Sequence, residues 1–419
     1  MVKPSCVVFG RGATHEHARV LKFLRGEVPP RDLAEALQIQ GATLEAPKES
    51  EADWQLEDAG TVSLLRKLQQ TTGRLGNVCS GKMFRGVVTG LNEVFIIDSE
   101  TRQRLIAGHE STSEIVHPYL QGTHLRTWYQ ETSDEYLIFA RRGIEIEKYP
   151  AVLEYLSSFK HRLEPRPAEW KPTAQEPRWR GRKEGNYKWY EIQDAIDYYP
   201  SFGEPKIVWP DIAKLPRCSM DLEGRFVGDT AFCIPIEDYY LLGVLNSWPL
   251  WFVISKTAPP LRLRAGRWQY RCKRRYMADL PIPDAPSSDR DAIASLAKQC
   301  CDRAKESNEL LTSVCHRFQT SFGDSTKPRK LSARLEGWPK LGFPELGDEL
   351  RRVYAMPRKP WGDPDLADIW EPYILSRKKQ WSEQLKSISD AEREINRRVF
   401  RLFGLTNNEI QLLQTSVSS

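Results

Sequence analysis

Membrane-spanning and secretory patterns are missing from this sequence. No apolar run preceded by basic residues marks the N-terminus as a secretory signal. The longest apolar stretch, Tyr239 to Ile254, is interrupted by Asn246, Ser247 and Pro249 and is shorter than the roughly 20 residues that cross a bilayer. It therefore predicts buried helices, and we expect the chain in the cytoplasm.

Paired cysteines and clustered histidines are also missing. None of the eight cysteines forms a C-x-x-C pair, and no histidine stands at a zinc-ligand spacing from one. The histidines are scattered singly, so no Ser/His/Asp or Cys/His arrangement points to nucleophilic catalysis. We expect reduced thiols, and no metal ion, cofactor or catalytic residue in this chain.

Acidic residues are absent from one long segment. Tyr239 to Ala278 holds eight Lys or Arg residues and no Asp or Glu, whereas the whole chain of 419 residues nets only +5. Seven of the eight crowd together, interleaved with Trp268, Tyr270 and Tyr276, and such a mixture suits a polyanion with stackable bases. We predict phosphate contacts from Arg262, Arg264, Arg267, Arg271, Lys273, Arg274 and Arg275. The alternative is a solvated basic face beside a core.

A second basic and aromatic segment runs from Lys160 to Tyr190. It carries nine Lys or Arg residues, diluted by four Glu residues. Its prolines predict a loop, and such loops can enter a groove where arginine reads guanine. We therefore predict base readout by Arg178, Arg180 and Arg182, with Lys183 beside them, although surface loops also accumulate variation.

The middle of the chain, from Trp54 to about Pro283, predicts an α+β fold. Short β-branched and aromatic runs alternate there with turn residues and helical stretches. The clearest strand-like runs are Val94 to Ile97, Tyr136 to Phe139 and Lys206 to Trp209.

Phe84 to Asn92 predicts a strand, a tight turn and a second strand. Gly86 and Gly90 in this segment would allow a positive φ or a close approach of two backbones. A structural turn and a contact with DNA are both open at this point.

After Pro286 the composition becomes helical. Ser288 is an acceptable N-cap, and apolar or small residues then recur every three or four positions, which predicts a seam for pairing with another helix. The seam comprises positions 293, 297, 300, 304, 307, 311, 314 and 318. Thr320 to about Pro364, rich in Pro and Gly, predicts a loop.

Three signals near the C-terminus predict helix ends. Ser389 to Glu392 has the spacing of a capping box, and so has Thr406 to Glu409. Gly404 is a natural helix stop. These helices are predicted to be architectural.

Two further motifs are better explained as structure. Cys6 to Phe9 predicts a strand leading into a Gly10-Arg11-Gly12 turn, but no acidic ribose ligand follows, which disfavours a cofactor loop. Glu204-Pro205-Lys206 has the ExK spacing of metal-dependent nucleases, with Asp194 or Asp197 upstream. A chain this rich in charge produces such a triplet by chance.

Five short segments follow one another in a fixed order. They are Arg85-Gly86 with Thr89-Gly90-Leu91-Asn92 and Phe95-Ile96-Ile97; Pro205-Lys206-Ile207-Val208-Trp209; Leu241-Leu242-Gly243 with Leu245-Asn246-Ser247; Leu280-Pro281-Ile282-Pro283; and Ala391 to Asn396 running on to Leu402-Phe403-Gly404-Leu405-Thr406 and Glu409-Ile410. In this order they resemble the TaqI-like C-terminal specificity domain and the closing helix that follows it. That domain is the target-recognition part of type IIG restriction-modification enzymes and adenine-specific DNA methyltransferases.

The resemblance implies double-stranded DNA as the partner and sequence-specific recognition as the function. It also implies a catalytic segment that uses S-adenosylmethionine, but the Asn-Pro-Pro-aromatic tetrapeptide that holds a flipped adenine is missing. The two Pro-Pro pairs of this chain follow Val28 and Ala258. We therefore expect a separately supplied methyltransferase segment, with site-specific adenine-N6 methylation, with or without cleavage, as the associated activity.

The resemblance divides the chain into three parts. Residues 1–50 resemble the end of a methyltransferase fold, 51–286 form the target-recognition domain, and 287–419 form a helical spacer with C-terminal helices. Two other functions stay open: a DNA-binding-only component of a phage-defence system, and an RNA-binding partner of a modification enzyme, since basic and aromatic stretches also suit RNA.

Overall fold

A computed structural model describes residues 17–20, 30–45, 59–70, 73–174, 176–323 and 329–418. The fold is mixed α+β, with several small sheets followed by a helical C-terminal region, as the sequence predicts. The predicted Cys6 to Phe9 strand and the Gly10-Arg11-Gly12 turn lie outside the described residues. No helix in these ranges is long and apolar enough to cross a membrane.

The strands are short. They are β1 (His17–Val20), β2 (Ala42–Glu45), β3 (Gly73–Arg74), β4 (Phe84–Arg85), β5 (Ile96–Asp98), β6 (Val116–Leu120), β7 (Glu135–Ile138), β8 (Lys206–Pro210), β9 (Ile212–Ala213), β10 (Ser219–Asp221), β11 (Phe226–Val227), β12 (Ala231–Ile234), β13 (Pro260–Arg264), β14 (Arg267–Arg271) and β15 (Pro281–Ile282).

The helices range from single turns to two very long elements. They are α1 (Leu33–Gln40), α2 (Ala59–Gln69), α3 (Leu75–Val78), α4 (Asn92–Phe95), α5 (Ser99–Gly108), α6 (Pro150–Ser157), α7 (Lys160–Leu163), α8 (Tyr239–Leu245), α9 (Trp248–Thr257), α10 (Arg274–Ala278), α11 (Ser287–Phe322), α12 (Ala333–Glu336), α13 (Phe343–Tyr354), α14 (Pro364–Leu402) and α15 (Asn407–Ser418).

Two four-stranded sheets form the centre of the α+β region, residues 73–282. One has the order β10-β8-β12-β4 and is antiparallel, and the other has the order β11-β6-β7-β5, with β11 parallel to β6. Strand β8 is buried along its whole length, which explains its unbroken apolar run after Lys206. The predicted strands Tyr136 to Phe139 and Lys206 to Trp209 are therefore confirmed, with β7 ending at Ile138.

The segment from Phe84 to Asn92 differs from its prediction. It forms the short strand β4, a bridge from Val87 to Gly228 and then a helix, with no second strand. A Cβ on Gly86 would lie 2.0 Å from the carbonyl oxygen of Gly228, and Gly90 has φ +81°. The two glycines thus have the expected close approach and positive φ, because the backbone joins the two sheets here.

Val94 to Ile97 was predicted as one strand and is divided in the structure. Val94 and Phe95 end helix α4, and only Ile96 and Ile97 enter β5. The two halves are both largely buried, so burial on either side of the junction produces the continuous apolar run.

Helices α8 and α9 are the buried helices that Tyr239 to Ile254 predicts. Asp238 caps α8 by accepting a hydrogen bond from the backbone N–H of Leu241, and Pro249 occupies the first turn of α9. Both helices lie in one core with β8, α2, and parts of α11, α14 and α15. The base of the helical region is therefore packed against the α+β region.

Helices α11 and α14 run antiparallel along the predicted seam. Asp289 at the start of α11 pairs with Arg398 and Arg401 near the end of α14, and Gln299 donates to Ser387 further along. Seven of the eight seam positions are buried, and Leu311 is half-buried. Far from the domain, α12 and α13 close a second core around Trp338 and Trp370.

Several predicted helix boundaries in this region are wrong. Helix α11 begins at Ser287 with Pro286 as its N-cap, so Ser288 is inside it. The predicted loop from Thr320 to Pro364 contains the end of α11 and the helices α12 and α13, because prolines occupy first turns there instead of breaking helices. Ser389 to Glu392 lies within α14, whose buried seam continues through Ala391.

The last predicted helix end and start are confirmed. Gly404 has φ +61° directly after α14. Thr406 and Glu409 form a capping box, in which the Thr406 N–H donates to the Glu409 carboxylate at 2.7 Å and the Glu409 N–H donates to the Thr406 hydroxyl at 3.4 Å. Lys67 on α2 also pairs with Glu409, at 2.7 Å, and so connects α2 with the start of α15.

Candidate nucleic-acid interface

Strands β13 and β14 form a projecting antiparallel hairpin, here called the basic hairpin (residues 260–271). Its two-residue turn consists of Ala265 and Gly266, with φ of +51° and +72°. Two positive φ values suit the twist of a tight hairpin, and glycine at the second position costs no steric strain. Every residue of β13 is exposed, so the hairpin stands out from the core.

The register of the basic hairpin separates its cations from its apolar side chains. Arg264 pairs with Arg267, and Arg262 pairs with Gln269 and donates to its side-chain oxygen at 2.6 Å. Because side chains alternate between the two faces of a strand, these residues share one face, and Arg271 falls on it too. The opposite face carries Leu263, Trp268 and Tyr270. One face of the ribbon is therefore a row of arginines.

The base of the hairpin is fixed to the core. Tyr270 packs edge-on against Trp251, with ring centroids 5.8 Å apart. Arg271 forms an ion pair with Asp211 at 3.3 Å, and β14 pairs with β9 beside it. The Trp209 indole donates to the carbonyl oxygen of Cys272 at 2.8 Å from within the core. The row of arginines thus has a defined direction relative to the sheets.

The remaining predicted phosphate contacts follow the hairpin in α10. Lys273, Arg274 and Arg275 are all exposed. Arg274 donates to the carbonyl oxygen of Gly81 at 3.2 Å, and the Arg275 guanidinium lies 4.5 Å from the centre of the Tyr276 ring. All seven predicted cations therefore lie at the surface of one continuous segment, and Arg271 is the one with a carboxylate partner among the described residues.

Arg182 was predicted to read bases, and the structure corrects this prediction. Its side chain is buried, at 3% exposure. Its guanidinium makes five hydrogen bonds, all to backbone carbonyl oxygens, at 2.7 to 3.3 Å. The acceptors are Leu163, Thr89, Glu191, Lys188 and Trp189. Because arginine has five N–H donors, none remains for a base or a phosphate.

Arg182 instead organises the segment around it, here called the basic loop (residues 164–191). It joins both ends of the loop to the turn at Thr89. The Tyr187 ring lies 4.4 Å from the guanidinium carbon and covers it. Burial lowers the pKa of Arg182 to about 10, so the side chain is still charged at neutral pH. Sequence reasoning missed this role, although Gly90 beside it marked a crowded turn.

The other predicted readers in the basic loop are exposed. Arg178, Arg180 and Lys183 all have exposed side chains. Trp170 and Trp179 pack edge to face beside them, with centroids 5.8 Å apart, and the Trp179 indole donates to the Glu164 carbonyl oxygen at 3.2 Å. The loop therefore presents three cations from a scaffold that Arg182 holds.

The nuclease-like triplet is part of the core. Lys206 is fully buried and pairs with the buried carboxylate of Asp221 at 2.5 Å, while Arg225 pairs with the same carboxylate at 3.0 Å. Within the described ranges, no group of three or more His, Cys, Asp or Glu residues could hold a metal ion. The Lys206 ammonium stabilises a buried carboxylate instead of facing a reaction site.

Two family models match this chain. Residues 117–282 match the TaqI-like C-terminal specificity domain. The resemblance seen in the short sequence segments is thus confirmed for this part of the chain, which contains both the basic hairpin and the basic loop. Residues 286–399, which include α11 to most of α14, match a domain of unknown function, DUF8810.

Two solved structures are similar to the chain at low identity. The type IIL restriction-modification enzyme MmeI in complex with DNA is 13% identical, over 80% of this chain and 35% of its own, with a TM-score of 0.42. The type IIG restriction endonuclease BpuSI is 9% identical, over 82% of this chain and 33% of its own, with a TM-score of 0.35. This chain thus spans about a third of the length of either enzyme.

Proposed function

We propose that this chain recognises a specific sequence in double-stranded DNA, as the specificity portion of a restriction-modification enzyme of the type IIG kind or of a site-specific adenine-N6 DNA methyltransferase. The observation that carries the proposal is the row of arginines on one face of the basic hairpin, inside the segment that matches a specificity domain. A two-stranded ribbon fits the major groove of B-form DNA, and arginines along it can neutralise phosphates.

The two basic segments have different parts in this proposal. The hairpin and α10 hold their cations at the surface of one continuous segment, which suits backbone contacts that set affinity. The basic loop holds Arg178, Arg180 and Lys183 on a scaffold fixed from within. Fixed geometry is what the recognition of a base edge requires, so we assign base readout to this loop.

Catalysis is assigned to a partner. The chain contains no Asn-Pro-Pro-aromatic tetrapeptide, so methyl transfer would need a methyltransferase segment or chain with S-adenosylmethionine bound to it. In this proposal the recognition chain and its catalytic partner act together in the cytoplasm.

Selection from a library of random DNA duplexes tests the function. The purified chain, with and without an added methyltransferase partner, is expected to enrich one sequence motif at two salt concentrations. Structured RNA serves as competitor, and it should displace the duplex poorly. Failure to enrich any motif with or without the partner, or displacement by RNA at equal concentration, would contradict duplex recognition.

A further inference from the structure

A concave pocket opens beside the basic loop and has no part in the contacts described so far. It has a volume of about 430 Å³, which is within the range of small-molecule sites. Its walls come from β6 and β11, from residues 139–149 after β7 and from the short helical turn Tyr199–Phe202. Another cleft of about 470 Å³, between α11 and α14, is lined by charged and small side chains and has no aromatic wall.

Aromatic rings form the floor of the pocket. His117 stacks on Phe226 with centroids 4.1 Å apart and planes 3° apart. Phe139 lies 5.0 Å from Phe226 and 5.2 Å from Tyr199. Phe139 and Phe226 are buried, whereas His117 and Tyr199 are partly exposed in the pocket. A flat ring entering this space would meet ring faces and edges, the surroundings in which bases stack on proteins.

The polar groups of the pocket suit a ring that carries both donors and acceptors. Burial lowers the pKa of His117 to about 4, so its imidazole is neutral at pH 7 and offers one donor and one acceptor. The Arg141 guanidinium lies at the rim, 5.7 Å from the centre of the Tyr199 ring. Glu114 accepts from the Tyr149 hydroxyl at 3.1 Å on another side. An aliphatic ligand would leave this polar lining unpaired.

Hydrogen bonds connect the edge of the pocket to the basic loop. Arg142, next to the rim residue Arg141, donates to the carbonyl oxygens of Asn186 and Gln193, both at 2.6 Å. The backbone N–H of Gly143, which lines the pocket, donates to the Glu191 carboxylate at 2.9 Å. The segment that would read bases is thus bonded directly to the edge of an aromatic pocket.

We propose that this pocket binds a nucleobase, delivered as a base turned out of the duplex beside the basic loop. The inference rests on the proposed function, because the base comes from bound DNA. Turning a base out costs pairing and stacking energy, and the rings of the pocket offset part of that cost. The pocket reads a planar ring and performs no chemistry on it.

Mismatched duplexes test this proposal. A mismatch lowers the cost of turning a base out, so a mismatch at the captured position should tighten binding by about tenfold. With the wild-type chain, moving a single mismatch along the selected motif should identify that position in the DNA. The double variant His117→Leu with Tyr199→Leu should lose the enhancement. Tyr198→Leu is the matched control, because the neighbouring Tyr198 ring stacks on Phe84 outside the pocket and should leave the enhancement intact.

A second variant and a free ligand complete the experiment. Arg141→Gln alters an exposed rim residue and is expected to reduce the enhancement by a few-fold without lowering the melting temperature. Free 2-aminopurine riboside is titrated by its fluorescence. Binding of the riboside by the wild type and not by the double variant, without a mismatch effect, would assign the pocket to free nucleosides.

Two results would overturn the proposal, and they differ in what they say of the chain. Normal duplex binding with no mismatch effect and no riboside binding would contradict nucleobase binding by the pocket but not DNA recognition by the chain. Absence of both duplex binding and riboside binding would remove the two proposals together.

Discussion

The basic hairpin and the basic loop have similar compositions and opposite constructions. Each combines arginines with aromatic residues, yet the hairpin exposes its cations in a row, whereas the loop buries its central arginine. In the hairpin the ladder of backbone hydrogen bonds fixes the shape and leaves the arginine side chains at the surface. The described part of the loop has no such ladder of backbone hydrogen bonds. The guanidinium of Arg182 holds it instead, by donating hydrogen bonds to five carbonyl oxygens.

A charge pattern in the sequence does not distinguish an arginine that stays at the surface from one that holds a loop together. A segment without regular secondary structure has many backbone carbonyl groups that need donors. Arginine supplies five donors from one side chain, and it does so here at the cost of burying a charge. The surrounding Arg178, Arg180 and Lys183 are then free of that structural task.

Removal of Arg182 should have the largest effect. Arg182→Ala removes the donor of five hydrogen bonds to carbonyl oxygens, three of them buried, and we expect a loss of about 3–5 kcal/mol in the free energy of unfolding. Urea unfolding of the variant measures it. Arg180→Ala is the matched control, since Arg180 is exposed in the same loop and should change stability by less than about 0.5 kcal/mol. Equal losses in the two variants would contradict the buried role.

Removal of the hairpin arginines should affect DNA binding without affecting folding. In the triple variant Arg262→Ala, Arg264→Ala and Arg267→Ala, the slope of log affinity against log salt should fall by about 2–3, because each phosphate contact contributes about 0.9. Fluorescence anisotropy of a labelled duplex measures the slope. The exposed lysines Lys305, Lys379 and Lys386 on α11 and α14 provide the control triple. If the salt slope fell only in the control triple variant, the DNA interface would lie on α11 and α14 and not on the hairpin.

Substitution of Gly90 should give a smaller effect on the loop. Gly90→Ala puts a Cβ 2.9 Å from Cδ of Arg182 at a φ of +81°, and we expect a loss of about 1–3 kcal/mol. Gly143→Ala is the control, because it has φ +75° and open space around its Cβ. The difference between their unfolding free energies measures the contact with Arg182. Equal unfolding free energies of the two variants would mean that the loop accommodates a Cβ at position 90 without loss of stability.

Much of the recognition fold could be predicted from sequence because its signals are local. The apolar run of β8, the capping box before α15 and the seam of α11 each depend on neighbouring residues, and each was predicted at its observed position. The prediction of a loop from Thr320 to Pro364 was wrong because a proline in the first turn of a helix and a proline in a loop look alike in sequence. Only the packing of Trp338 and Trp370 distinguishes them.

The candidate site was predictable in part. The seven cations of the hairpin and α10 stand together in the sequence and lie at the surface in the structure. The placement of Arg262, Arg264, Arg267 and Arg271 on one face depends on the strand register, which the two-residue turn at Ala265 and Gly266 sets. The burial of Arg182 could not be predicted, because its five acceptors come from positions 89 to 191 and meet only in the folded chain.

The most direct test compares specificity in loop and hairpin variants on the selected motif and on single-base changes of it. We expect that Arg178→Ala with Arg180→Ala lowers the preference for the motif by about 1–3 kcal/mol at one or two positions, whereas the hairpin triple variant weakens binding to all sequences alike. Competition binding at fixed salt measures both. A hairpin variant that loses preference at single positions, or a loop variant that keeps the full preference, would contradict the division between affinity and readout.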